Sequence, residues 1–138
     1  MKIAVIDGQG GGIGKHITKE IRSTFGDSVE ILALGTNSVA TTMMLKAGAN
    51  EGATGENAII QNVSKVDVIT GTVAILVAHS MLGELTPAMA EAIGKSSAVK
   101  FLLPINRVGI NIVGVQDEPL PHQIEKLIDQ LKEFKEVE

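Results

Sequence analysis

The sequence predicts an α/β protein: a single doubly wound, mostly parallel sheet with helices on both faces, a C-terminal antiparallel strand and a closing helix. Three observations carry this expectation. Runs at 2–7, 29–34, 66–71 and 98–105 are β-branched and nearly all apolar, as in strands buried on both faces. Segments with helical spacing and cap signals alternate with them. The first run enters its helix through a tract, Gly8 to Gly14, that holds five glycines in seven residues.

The first strand is "KIAVID", 2–7, and the helix after it spaces Ile13, Ile17, Ile21 and Phe25 four apart, with a glycine stop at Gly26. "VEILAL", 29–34, is the second strand. A helix follows, with Ser38 as its N-cap, Val39, Met43 and Ala47 on one face, and Gly48 as its stop. "NEGAT", 50–54, reads as a short edge strand, and Thr54 caps a helix running to Ser64. "VDVITG", 66–71, is another buried strand. Periodicity leaves 72–83 open between strand and helix, and its length and its place after a strand favour helix. The next helix has Thr86 as N-cap, Pro87 at its first position and Gly94 as terminator. "AVKFLLPI", 98–105, is a strand with Pro104 near its end. The link to "GINIVGV", 109–115, is so short that this last strand should pair antiparallel to it. The closing helix turns Ile124, Leu127, Ile128 and Leu131 inward.

A chain of 138 residues is expected to form one domain, 1–138, large enough to bury a core. It is 44% hydrophobic and 20% charged, the balance of a globular protein. A net charge of -4 and the lack of Trp and Tyr argue against a nucleic-acid partner, which calls for a basic face and stacking aromatics. No apolar run approaches the roughly 20 residues that cross a bilayer, and the N-terminus has no signal-peptide plan, so the expected location is the cytoplasm. Without cysteine, disulfides, thiolate nucleophiles and Cys metal cages are ruled out; the three scattered His do not suggest a metal site either.

The glycines between the first strand and first helix point to a binding site. Amides at a helix start lack internal partners and carry partial positive charge, and an anion placed there satisfies them. Glycine lets the backbone approach a pyrophosphate and lets the helix sit close to its strand. The triphosphatase loop template fails: its first glycine falls on Gln9, and Gly14-Lys15 is followed by His16. The GxGxxG template fails too, since its third glycine falls on Ile13. The spacing Gly8-x-x-x-Gly12-Ile13-Gly14 is similar to the cofactor loop of the short-chain dehydrogenase/reductase superfamily. That likeness implies a Rossmann-like nucleotide-binding domain with NAD or NADP as its cofactor. The superfamily's catalytic Tyr has no counterpart, because the chain has no Tyr. Nor does the expected ribose-binding acid, where Gly35-Thr36-Asn37 stands. Asp7 would repel a phosphate unless it faced ribose, held a loop amide or met a cation. The competing reading is that the glycines serve only tight strand–helix packing.

The chain as a whole resembles a small bacterial family known only as a domain of unknown function. The stretches that carry this are "VIDGQGGGIGK", "ALGTNSVAT", "AGANEGATGENAI", "GELTPAMAEAIG" and "LLPINR". The family resemblance implies no activity.

Ligands of open α/β sheets sit beyond the carboxyl ends of the strands. The expected binding residues are therefore Asp7, Gly8, Gln9, Gly10, Gly11, Gly12, Ile13, Gly14, Thr36, Asn37, Gly71, Thr72, Asn106 and Arg107. Arg107 fits a phosphate or carboxylate clamp, or equally a turn or a salt bridge between subunits. Glu56 and Asn57 read as helix-start residues or ligand contacts. His79 and Glu84 form a possible acid/base pair, although five positions do not share a helix face. Met43, Met44, Met81 and Met89 suit a core or a subunit interface. The expected function is thus nucleotide binding without an assigned reaction. An oligomeric enzyme with an intersubunit pocket, or an assembly module that binds no ligand, stands as the alternative. The apolar content of so small a chain favours a homo-oligomer, a dimer first.

Overall fold

A computed structural model describes residues 1–137. Its strands are β1 (Lys2–Asp7), β2 (Glu30–Gly35), β3 (Glu51–Thr54), β4 (Val68–Thr72) and β5 (Val99–Leu103). Its helices are α1 (Gly12–Phe25), α2 (Ser38–Lys46), α3 (Glu56–Asn62), α4 (Pro87–Lys95) and α5 (Leu120–Val137). The five strands form one sheet in the order β3-β2-β1-β4-β5, and every pair is parallel. The chain steps outward from β1 to the β3 edge, then crosses back to lay β4 against the other side of β1. The switch point therefore falls between β1 and β4, and ligands of such sheets bind at that place.

Alternation along the strands builds two cores. On one face Ile3, Val5, Ile31 and Val68 pack against Ile17 and Ile21 of α1 and Ile124, Leu127, Ile128 and Leu131 of α5. On the other, Ala4, Ile6, Leu32, Leu34 and Ile69 meet Ile59 of α3 and Met89 and Ile93 of α4. The central strands are mostly apolar because both of their faces are covered.

Several expectations need correction. No antiparallel strand forms at 109–115, and the sheet is wholly parallel. The segment cannot lie straight along β5. The Asn106 side chain closes a turn onto Ile110, and Gly109 and Gly114 take left-handed backbone at φ 78 and φ 89. Residues 72–83 are not a helix but a short 3-10 turn, Val73–Leu76, followed by tight turns. The N-cap of α2 is Asn37, whose side chain accepts the Ala40 amide, and not Ser38. The buried face of α2 is Ala40, Thr41 and Met44, while Val39 is exposed. Thr54 ends β3 and Gly55 caps α3, which stops at Asn62. The Thr86 cap and Pro87 start of α4 form as expected, with Gly94 inside the last turn.

Candidate functional site

Asp7 is the last residue of β1, and its carboxylate is folded under the glycine loop. Oδ1 accepts the Gly8 amide at 2.8 Å and Oδ2 accepts the Gly14 amide at 2.6 Å. Of the roles open to Asp7, it takes that of holding loop amides. The packing is close: a Cβ on Gly14 would lie 2.7 Å from Asp7 Cβ and 2.8 Å from Met44 Sδ. Burial pushes the Asp7 carboxyl above its ordinary range; the two amide bonds oppose this, and the nearby Glu84 charge adds to it.

The rest of the loop divides into inward and outward amides. Gly11 donates to the Gly8 carbonyl at 3.0 Å and Lys15 to the Gly11 carbonyl at 2.9 Å. Gly11 caps α1 with φ 73, and a Cβ there would come within 2.7 Å of Ala40 Cα. Among the described residues, the amides of Gly10, Gly12 and Ile13 have no protein acceptor. A Cβ built on Gly10 or Gly12 meets nothing within 4 Å. Three amides thus lack a partner among the described residues at the positive end of α1, and two of them belong to exposed glycines.

A second carboxylate completes the arrangement. Glu84 Oε1 accepts the Gln9 amide at 2.8 Å, the Thr36 hydroxyl at 2.6 Å and Asn37 Nδ2 at 2.8 Å. Asn37 Nδ2 also donates to the Gln9 carbonyl at 2.9 Å. These bonds tie the β2 tip, the glycine loop and the segment after β4 into one cluster. Burial would raise the Glu84 pKa, but the bonds from Thr36, Gln9 and Asn37 outweigh it and hold the carboxyl below its ordinary value.

The segment that delivers Glu84 is tightly wound. The Thr72 hydroxyl accepts the Ala74 amide at 3.3 Å and starts the 3-10 turn, and Ser80 Oγ donates to the Ala74 carbonyl at 2.7 Å. His79, Met81 and Leu82 have positive φ, and Gln9 on the facing loop does too; among the described residues no other non-glycine residue does. Each such residue costs of order 1–3 kcal/mol and persists only where its surroundings impose it. Among the described residues, left-handed backbone outside glycine is gathered at this one place.

The tip of β2 therefore has an acid, although none stands there in the sequence. In the sequence Glu84 reads as an acid/base partner of His79 or as a residue of a pocket between subunits. The His79 side chain is exposed and makes no hydrogen bond to Glu84, and its amide donates to the Leu85 carbonyl at 2.7 Å. The one available signal was an acid placed after the switch-point strand in a glycine-containing turn.

Asp7, the loop, Thr36 and Asn37 are brought together. Gly71 and Thr72 end β4 nearby: a Cβ on Gly71 would meet the Ile6 carbonyl at 2.7 Å, and the buried Thr72 hydroxyl serves the 3-10 turn. Asn106 and Arg107 are not joined to this cluster. Asn106 bonds within its own turn, to the Pro104 carbonyl at 3.0 Å and the Ile110 carbonyl at 2.9 Å, and Arg107 is exposed. Glu56 accepts the Thr86 hydroxyl at 2.5 Å and links α3 to the cap of α4. Two clefts, of about 430 and 610 Å³, open beside the chain that follows β5 and not over the glycine loop. Among the described residues no three His, Asp or Glu side chains converge to hold a metal ion, and no helix is long and apolar enough to cross a membrane.

A parallel α/β sheet in this order, with a glycine-rich turn at the tip of its central strand, is a Rossmann-like domain. The chain belongs to the family described as Domain of unknown function (DUF3842), whose model matches residues 2–136. No curated protein matches the chain. Among solved structures it is similar to one titled a dodecameric FMN-dependent Ubix-like decarboxylase from Escherichia coli O157:H7. That likeness has 12% identity and a TM-score of 0.48, and covers 96% of this chain and 95% of that one.

Proposed function

We propose that this protein binds a nucleotide at the tips of β1, β2 and β4, with phosphate on the amides of Gly10, Gly12 and Ile13 and a ribose against Glu84. The observation that carries the reading is the division of the loop. Its inward amides are held by Asp7 and Glu84, while those of Gly10, Gly12 and Ile13 have no acceptor among the described residues at the start of α1. Packing alone accounts for Gly14 and Gly11 but not for bare residues at Gly10 and Gly12, where a side chain would meet nothing. The cofactor is NAD in preference to NADP, because a carboxylate accepts ribose hydroxyls and repels a 2′-phosphate. The protein acts as a sensor or subunit, since Glu84 is bound to donors on the loop and the β2 tip and is not poised against His79.

The chain has no Trp, Tyr or Cys and is nearly transparent in the near ultraviolet, so co-purified nucleotide is visible directly by absorbance. Thermal shift against NAD, NADP, ADP and FMN extends the test, because a ligand that binds only the native state raises its melting temperature. NAD is expected to give the largest shift. A shift with FMN alone overturns the NAD assignment, and no shift with any of the four overturns the nucleotide reading.

A further inference from the structure

We infer that the segment between β5 and α5 is the contact surface for a second copy of this chain, met across a two-fold axis through its apolar run. Six large apolar side chains, Ile105, Val108, Ile110, Ile112, Val113 and Val115, are exposed within eleven residues, and Val113 is 99% exposed. An apolar stretch this continuous marks an interaction site, whereas apolar residues scattered singly do not. The main chain is unpartnered as well. Outside the Asn106 turn, the one backbone hydrogen bond within 110–116 joins the Val115 amide to the Ile112 carbonyl at 3.2 Å. The residues themselves, Ile-Asn-Ile-Val-Gly-Val, have the β-branched composition of a strand.

Charge identifies the occupant. The stretch from 105 to 116 contains one charged residue, Arg107, and an acid, Asp117, follows directly. Both side chains are exposed, and neither forms an ion pair among the described residues. They stand five positions to either side of Ile112. A two-fold contact centred on the apolar run sets the basic end of each copy toward the acidic end of the other, Arg107 toward Asp117 of the partner subunit, twice over, while the apolar residues between them are covered. A two-fold contact of this kind is self-complementary and closes as a dimer. The clefts beside the segment, lined by Leu103, Pro104, Val115 and Gln123, give its apolar side chains a place to seat.

Sedimentation equilibrium on the full chain tests this. The unmodified protein is expected to be a dimer at micromolar concentration, and Val113→Asp a monomer. Val113 touches almost nothing in its own chain, so the variant should keep its far-ultraviolet circular dichroism and its cooperative melt. Arg107→Asp and Asp117→Arg should each weaken the dimer about tenfold by placing like charges together, and the double exchange should restore it. A monomeric unmodified protein overturns the proposal and leaves the surface to a foreign partner. A Val113→Asp variant that stays dimeric also overturns it. A double exchange that fails to restore the dimer overturns the pairing of Arg107 with Asp117 of the partner subunit.

Discussion

Glu84 and Gln9 stand 75 positions apart and are joined by a hydrogen bond of 2.8 Å from the Gln9 amide to Oε1. The same oxygen holds Thr36 at 2.6 Å and Asn37 at 2.8 Å, so one carboxylate fixes where the glycine loop lies over the end of β2. A neutral amide in its place keeps an acceptor oxygen and loses the charge. Glu84→Gln is therefore expected to fold normally and to bind NAD less tightly, while its affinity for NADP rises. Charge-assisted hydrogen bonds exceed neutral ones by about 1 kcal/mol, which is roughly a fivefold change in affinity for NAD. Titration calorimetry with both nucleotides measures it. An unchanged ratio of the two affinities removes Glu84 from the ribose position.

Gly12 and Gly14 are two residues apart and separate binding from folding. A Cβ on Gly12 meets nothing within 4 Å, whereas one on Gly14 comes within 2.7 Å of Asp7 Cβ and 2.8 Å of Met44 Sδ. Gly12→Val should unfold within about 1 kcal/mol of the parent and lose the nucleotide response, since its side chain projects where a phosphate would sit. Gly14→Ala should destabilise the ligand-free protein by about 1–3 kcal/mol, because packed neighbours must move. Urea unfolding of both variants, paired with thermal shift, tests the contrast. A Gly12→Val variant that still responds to NAD places the phosphates elsewhere.

These two residues also show how far sequence carries. Glycine density between a strand and a helix located the loop, because spacing along the chain is local information. The inward residues of α5, Ile124, Leu127, Ile128 and Leu131, followed from helical periodicity for the same reason. Glu84 did not follow, since only the folded sheet sets it beside Thr36. Nor did the turn that carries it, because positive φ at His79, Met81 and Leu82 is imposed by tertiary packing against the preference of those residues. The strand expected at 109–115 was a sound reading of composition. Its failure lies in the turn closed by Asn106, which takes the segment away from β5.

Asp7 and Glu84 make opposite contributions to stability as pH changes. The Asp7 pKa lies above its ordinary value, chiefly through burial. The folded protein then holds that proton more tightly than the unfolded chain, and stability falls as pH rises from the ordinary carboxylate value through the folded one. The Glu84 pKa is lowered: burial would raise it, but the bonds from Thr36, Gln9 and Asn37 prevail. Its contribution is present above the ordinary value and is lost as pH falls through the folded one. The Glu84 charge is one of the causes that raise Asp7, so Glu84→Gln should lower the Asp7 midpoint. Carbon-detected magnetic resonance of the carboxyl groups reads it directly. An Asp7 midpoint that stays put in the variant shows that the two carboxylates do not feel each other.

Thr70 stands in the middle of β4, opposite Val5 of β1, with no exposed surface. Among the described residues its hydroxyl has no hydrogen-bond partner, and a buried polar group left unpaired costs about 1–3 kcal/mol. Valine has nearly the same shape, keeps the branched Cβ that suits a strand, and carries nothing that needs a partner. Thr70→Val is therefore expected to stabilise the protein by about 1 kcal/mol, raising the urea midpoint without changing the slope of the transition. Nucleotide affinity should not change, because the hydroxyl is sealed inside the sheet layer. A loss of stability would mean that a buried water satisfies the hydroxyl, since removing that partner leaves the water short of a bond.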